Sequence, residues 1–166
     1  ITSLASKACD APTALITLID EERQWFKSCF GFETRETDVG LSFCVHAVHQ
    51  GKMLVVEDAT ADPRFQDNPL VTEPPHVRFY AGAPLRTPDG VHIGTLCIFD
   101  YEARTFDAAQ REVLEQLAEM VVDRFEHRSA EAQAEQLIDE NPQPMIVYAR
   151  DDGTVLDANR AAQEQY

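Results

Sequence analysis

Arg78-Phe79-Tyr80-Ala81-Gly82-Ala83-Pro84-Leu85, followed by Thr87-Pro88-Asp89-Gly90 and then Val91-His92-Ile93-Gly94-Thr95-Leu96-Cys97-Ile98-Phe99-Asp100, decides the fold of this chain. Both arms are rich in β-branched, aromatic and small residues. The connection carries Pro and Gly where a tight turn needs a fixed and a permissive φ. The stretch therefore predicts an antiparallel hairpin. Setting Leu85 opposite Val91 places Gly82 opposite Gly94, so one face of the sheet would lose two adjacent side chains and be hollowed. Strand glycines mark close approach of something without saying of what. On this register Val77, Phe79, Ala81, Ala83, Leu85, Ile93, Thr95, Cys97 and Phe99 share an apolar face suited to helices. Arg78, Tyr80, Gly82, Pro84, Gly94 and Leu96 share the other, a mixed surface suited to a ligand.

Upstream, Leu4 to Cys9 fits the tail of a helix, and Ala14 to Ile19 is a nearly continuous apolar run, as expected of a central strand covered on both faces. It ends in the polar turn Asp20-Glu21-Glu22-Arg23. Gln24 to Phe30 forms the partner arm, with Trp25, Lys27 and Cys29 on one face and Phe26, Ser28 and Phe30 on the other. Glu33 to Gly40 is patternless and reads as loop. Ser42 is an N-cap for a helix over Phe43 to Gln50, closed by Gly51 at C′. Met53 to Val56 is a short strand. From Glu57 to Pro75 four prolines keep the chain in turns, with one helical turn starting at Asp62-Pro63.

Downstream, Asp107 with Gln110 opens a helix in the manner of a capping box. Val113, Leu114, Leu117, Met120, Val121 and Phe125 then follow at helical spacing. Beyond Phe125 the sequence stays helix-prone but turns polar, so the helix is expected to project. Unbroken to Asp139 it would be on the order of 50 Å long. Ala130, Ala134, Leu137 and Ile138 offer either a weak homodimer seam or a solvated linker. Asn141-Pro142 ends it, and strand, Asp-Asp-Gly turn, strand and helix start follow.

The 166 residues carry 14 Lys plus Arg against 29 Asp plus Glu, a net charge of −15. That repels phosphate backbones and anionic lipid surfaces, which speaks against nucleic acid as a partner. No apolar run is long enough for a membrane span. The four cysteines show no Cys-x-x-Cys spacing, and a reduced, cytoplasmic setting is expected. Opening on Ile1, the chain is expected to be an excerpt of a longer one.

Phe79 to Leu85 with Gly90 to Cys97 resembles the signature hairpin of GAF domains, small sensory modules of bacterial signalling proteins. Leu15 to Asp20, Arg23 to Ser28, Ser42 to Ala47 and Asp58 to Phe65 fall in the order of that family, so residues 1–128 are read as a GAF domain. The resemblance implies an α+β, PAS-related fold: a roughly six-stranded antiparallel sheet with helices on one face and a loop-covered pocket on the other. Residues 129–140 would be a linker helix. Residues 141–166, with Ala158-Asn159 before a helix, resemble the start of a PAS domain, too short to close a core.

The resemblance also implies candidate chemistries. Free methionine sulfoxide reductases are one GAF lineage, which makes Cys44, at a helix N-terminus, and Cys97 weak candidates for catalytic thiols. That redox enzyme is the alternative reading, and it would bring two of Cys29, Cys44 and Cys97 together. Bilin attachment wants Cys followed directly by His, and here Val45 separates Cys44 from His46. The cyclic-nucleotide motif of other GAF domains is absent. His46 and His49 share a helix side but lack a third ligand, so no metal is expected, and no cofactor. What remains is an unidentified small-molecule ligand, met by Tyr80, Arg78, Gly82, Gly94, Leu96, Phe43, Arg64 and Phe65, with the arginines favouring an anion. A rival is a pocket filled by the protein's own side chains in a dimerising spacer. GAF modules sit upstream of histidine kinase or diguanylate cyclase outputs in two-component and related signalling. No ATP-binding or cyclase motif lies in these residues, so this segment is expected to catalyse nothing.

Overall fold

In a computed structural model of the chain, residues 1–20, 23–151 and 154–165 are described. The expected Asp20-Glu21-Glu22-Arg23 turn and Asp-Asp-Gly turn each include residues outside that set. The chain forms two compact units, Ile1–Val122 and Asp123–Tyr166, and the boundary falls inside one helix.

The first unit is an α+β domain built on six antiparallel strands. Helix α1 (Thr2–Ala8) precedes β1 (Thr13–Ile19) and β2 (Arg23–Phe30), then β3 (Glu36–Asp38), a 3-10 turn (Val39–Leu41) and α2 (Phe43–Gln50). Strand β4 (Leu54–Val56), the one-turn helix α3 (Pro69–Thr72), β5 (Phe79–Arg86), β6 (His92–Asp100) and α4 (Ala108–Asp139) complete it. The sheet order is β3-β2-β1-β6-β5-β4, so β1 lies between β2 and β6 as its apolar run requires. The loop expected over Glu33 to Gly40 contains the edge strand β3, three residues too polar to show a pattern.

The signature hairpin exists, but its register differs from the expected one. Leu85 pairs with Gly94 and Gly82 with Cys97, because at the Leu85/Arg86 irregularity the ladder skips Ile93 on β6, Arg86 pairing with His92. In a strand the side chains alternate, so an odd slip moves one arm's residues to the opposite face. Thr95, Cys97 and Phe99 accordingly join Tyr80 and Gly82, while Gly94 and Leu96 go to the face of Phe79, Ala81, Ala83 and Leu85. A second irregularity, between Ile16 and Thr17 on β1, skips Lys27 and sets Cys29 beside Leu15 on the side of Phe26. Ser28 turns to α1, where its hydroxyl lies 3.0 Å from that of Thr2.

The two facing glycines that were to dent the sheet are therefore apart, and neither leaves a void. A Cβ on Gly82 would stand 2.1 Å from the Tyr80 hydroxyl, which folds back over it. A Cβ on Gly94 would stand 1.9 Å from the Thr17 carbonyl oxygen of β1. One glycine makes room for a side chain, and the other for a neighbouring backbone.

Helix α2 forms where its caps predict: Ser42 Oγ accepts from Val45 N at 3.3 Å, and Gly51 takes φ 63°. α4 opens with the reciprocal box, Gln110 N donating to Asp107 Oδ1 at 2.8 Å and Asp107 N to Gln110 Oε1 at 3.2 Å. Its buried stripe is Leu114, Leu117, Ala118, Val121 and Val122. Met120, expected in that stripe, is 48% exposed. Phe106, just before α4, packs on Phe79 at 5.6 Å between ring centroids, so the start of α4 lies on the Phe79 face of the sheet. Arg104 clamps the same corner, donating to Cys9 O at 2.6 Å and pairing with Asp100 at 3.2 Å.

The second unit holds the rest of α4, a two-stranded sheet of β7 (Ile146–Tyr148) and β8 (Val155–Ala158), and α5 (Arg160–Gln165). Asn159 organises it. Its amide donates to the carbonyls of Ile138, Asn141 and Gln143, and its Oδ1 accepts from Met145 N and Ala162 N.

Candidate functional site

Helix α2 covers the face of the sheet that carries Tyr80, Cys97 and Phe99, and between helix and sheet lies one apolar cluster. Phe43 stacks on Phe65 at 4.1 Å and meets Tyr80 at 5.1 Å. Beside this aromatic group a narrow cavity of about 50 Å³ runs inward. Its rim is half-buried Phe32, Thr37, Leu70 and Pro75. Its walls are the buried Leu15, Phe26, Phe43, Val77 and Phe99, and its polar groups are Gln24, Ser42, Tyr80, Cys44 and Cys97. No charged side chain lines it. Fifty cubic ångströms is room for about four waters, so in this shape it excludes a tetrapyrrole or a cyclic nucleotide.

At the floor, Cys44 Sγ of α2 and Cys97 Sγ of β6 lie 3.7 Å apart, with the thiols 2% and 1% exposed. Tyr80 Oη donates to Cys44 Sγ at 3.3 Å. Thr17 and Thr95 hydroxyls, 3.0 Å from one another, stand beneath. Burial alone would raise the Cys44 thiol, but hydrogen bonds from Cys97, Thr95, Tyr80 and Thr17 stabilise the thiolate and bring it below the ordinary range. Cys97 moves the opposite way, pushed well up by its bond to Cys44 and then by burial. Burial and the adjacent sulfurs likewise hold the Tyr80 phenol well above its usual value. The pair thus keeps one proton on Cys97 and one acidic sulfur on Cys44.

Of the residues singled out in the sequence, Tyr80 and Phe43 line the cavity, Gly82 lies under the Tyr80 hydroxyl, and Phe65 backs Phe43. Gly94 and Leu96 are on the opposite face, a correction that follows from the hairpin irregularity. Arg78 is turned away, donating to Val71 O at 2.9 Å. Arg64 pairs with Asp62 and lies over the outer side of Phe65 at 5.1 Å. Neither arginine lines the cavity, so its lining offers no anion a countercharge. Gln24, its hydrogen-bond partner Ser42 and Thr37 were missed as cavity residues. Gln24 carried a signal, a polar residue in line with Phe26. Of the three cysteines named for redox chemistry, Cys44 and Cys97 meet. Among the described residues no cluster of three metal-ligating side chains occurs, and no helix is long and apolar enough to cross a membrane.

Comparison with known proteins agrees with this architecture. The model of the GAF domain matches residues 1–124. A cyclic di-GMP phosphodiesterase of Pseudomonas aeruginosa is 44% identical over 127 residues, 75% of this chain and 22% of that protein, so the chain spans about a fifth of its length. The free methionine-R-sulfoxide reductase of Neisseria meningitidis, solved with its substrate, superposes with a TM-score of 0.63 at 23% identity, covering 78% of this chain and 76% of that one. The GAF domain of a phosphoenolpyruvate-protein phosphotransferase from Coxiella burnetii gives 0.66 at 16% identity, covering 80% and 82%. At these identities the two structures attest the fold alone. The expectation that this segment is no enzyme is overturned by the phosphodiesterase relative. It had rested on missing ATP-binding and cyclase motifs, which have no bearing on phosphodiester hydrolysis. Family match, six-stranded sheet and helix placement agree, and the chain belongs to the GAF domain family.

Proposed function

We propose that this chain is a sensory input domain that takes a small, uncharged, mainly apolar ligand into the cavity beneath α2 and passes its occupancy through α4 to an output domain of the same polypeptide. The observation that carries this reading is the cavity itself: apolar walls, a few neutral hydrogen-bonding groups at one end, and no charge. Tyr80, Phe43 and Gln24 would contact the ligand. The sheet links the two ends of the device, since β5 and β6 present Tyr80 and Cys97 to the cavity and Phe79 and Ile98 to the opposite face. Occupancy that shifts these strands biases the packing of Leu114, Leu117 and Val121.

By the phosphodiesterase relative, the output is turnover of cyclic di-GMP rather than histidine kinase or diguanylate cyclase activity. The same proposal takes residues 129–140 as the linker, 141–166 as the start of a PAS-like module, and the exposed Leu137 and Ile138 as a homodimer seam in a cytosolic protein.

Native mass spectrometry of the purified protein is expected to show a retained small molecule or, after its removal, a rise in melting temperature with matching neutral compounds. Val77→Phe, which fills the cavity, should abolish both. Ligand binding undiminished by Val77→Phe would overturn the assignment.

A further inference from the structure

We propose that Cys44 and Cys97 are a reversible dithiol–disulfide pair, oxidised by hydroperoxides small enough to enter the cavity and reduced again by a dithiol. The inference requires the opening to the floor but no ligand, so it stands or falls apart from the sensory reading. Buried cysteines ordinarily pack as inert small hydrophobes. Three observations set these two apart. Their sulfurs are in contact, 3.7 Å apart, although they come from a helix and a strand 53 residues distant. Both line a cavity whose size suits a peroxide molecule. Cys44 also receives a hydrogen bond from Tyr80 Oη and faces the Thr17 and Thr95 hydroxyls, a polar setting unlike that of Cys9, whose thiol burial pushes up.

The chemistry balances with hydrogen peroxide. The Cys44 thiolate attacks one peroxide oxygen, the S–O bond forms and the O–O bond breaks, leaving Cys44 sulfenic acid and hydroxide. The Cys97 sulfur then attacks the Cys44 sulfur, forming S–S and breaking S–O. The departing hydroxide takes the Cys97 proton and leaves as water. The first hydroxide takes up the proton that Cys44 gave off on ionising, so two thiols are oxidised by two electrons and one peroxide becomes two waters. A dithiol reverses the bond by exchange through a mixed disulfide. Bond formation brings the sulfurs closer by about 1.7 Å, to the length of a disulfide. The movement draws the first turn of α2 toward β6 and takes the acceptor of Tyr80 away, so oxidation would reshape the cavity.

The test is peroxide treatment of the whole folded chain, alkylation of remaining thiols after unfolding, and non-reducing peptide mapping. The expected result is loss of two thiols, a cross-linked peptide pair joining Cys44 to Cys97, and full recovery with a dithiol reductant. In Cys97→Ala, Cys44 should stop at a sulfenic acid trapped by a dione probe, and Tyr80→Phe should slow its formation at least several-fold. Four thiols still free after treatment, or a bond involving Cys9 or Cys29, would overturn the proposal. The wild-type mapping decides the matter even where a variant does not fold.

Discussion

The two strand glycines separate two kinds of close approach, and a double-mutant cycle reads the difference. At Gly82 a methyl group would overlap the Tyr80 hydroxyl at 2.1 Å, with ring atoms Cζ at 2.7 Å and Cε1 at 3.0 Å. The Tyr80 ring must swing away. Overpacking in a filled core costs about 1–3 kcal/mol, and losing the bond from Tyr80 Oη to Cys44 costs about 1 more. Reduced freedom of the unfolded chain returns up to about 1 kcal/mol. Gly82→Ala is therefore expected to destabilise by about 2 kcal/mol, roughly 4–8 °C in melting temperature. In a Tyr80→Phe background the worst overlap and the hydrogen bond are both absent, and the same substitution should cost at least about 1 kcal/mol less.

Gly94→Ala has no such relief. Its methyl group meets backbone, the Thr17 carbonyl at 1.9 Å, where Leu18 pairs with Gly94. The β1–β6 ladder must part, so the expected cost is above about 4 kcal/mol and insensitive to Tyr80→Phe. Urea unfolding of the four Gly82/Tyr80 variants and of Gly94→Ala in both backgrounds measures all of this. Equal costs of Gly82→Ala with and without the Tyr80 hydroxyl would refute the reasoning, as would a Gly94→Ala protein within about 1 kcal/mol of wild type.

Ser42→Ala removes the cap on Val45 N and the partner of buried Gln24, and should cost about 1–2 kcal/mol in urea unfolding. His46, edge-on to Phe65 at 4.9 Å, is held below the ordinary histidine range by burial and then by Arg64 and His49. Because the folded protein prefers the neutral ring, its contribution is intact above the unfolded value of about 6.5 and is lost as pH falls through the lower folded value. Melting curves between pH 7.5 and 5 should show that loss, and His46→Gln should flatten it. Asp107→Ala, which opens the α4 capping box, is expected to cost about 1 kcal/mol and to speed amide exchange in the first turn of α4.

The parts of this fold legible in the sequence are those governed by neighbours in the chain. Ser42 and Gly51 bound α2 because each acts on backbone groups within a few residues, and Asp107 with Gln110 starts α4 for the same reason. The central place of β1 follows from an apolar run that suits only a strand covered on both faces. α3 was missed although Asn68 before Pro69 is a cap signal, and Asn68 Oδ1 does accept from Leu70 N at 2.9 Å. The reach of arginines was not legible. Arg78 and Arg104 end on the carbonyls of Val71 and Cys9, partners set by tertiary packing.

Register was the decisive loss, and its cause is physical. A strand bulge adds one residue and leaves composition untouched, yet with a period of two it exchanges the faces of everything beyond it. The irregularity at Leu85/Arg86 converts a supposed hollow of Gly82, Gly94 and Leu96 into a floor of Tyr80, Thr95 and Cys97. Cys97 thereby comes to the side on which α2 presents Cys44. Moved by one residue, it would face α4, 3.7 Å from no other sulfur, and Tyr80 would have no partner thiolate. The chemistry of this cavity thus depends on the register beyond a single bulged strand residue, Ile93. Deleting Ile93 is the sharpest structural probe of that register: Arg86–His92 and Leu85–Gly94 then follow one another in a regular ladder, so the Cys44–Cys97 contact should persist, and its loss would refute this account of the register.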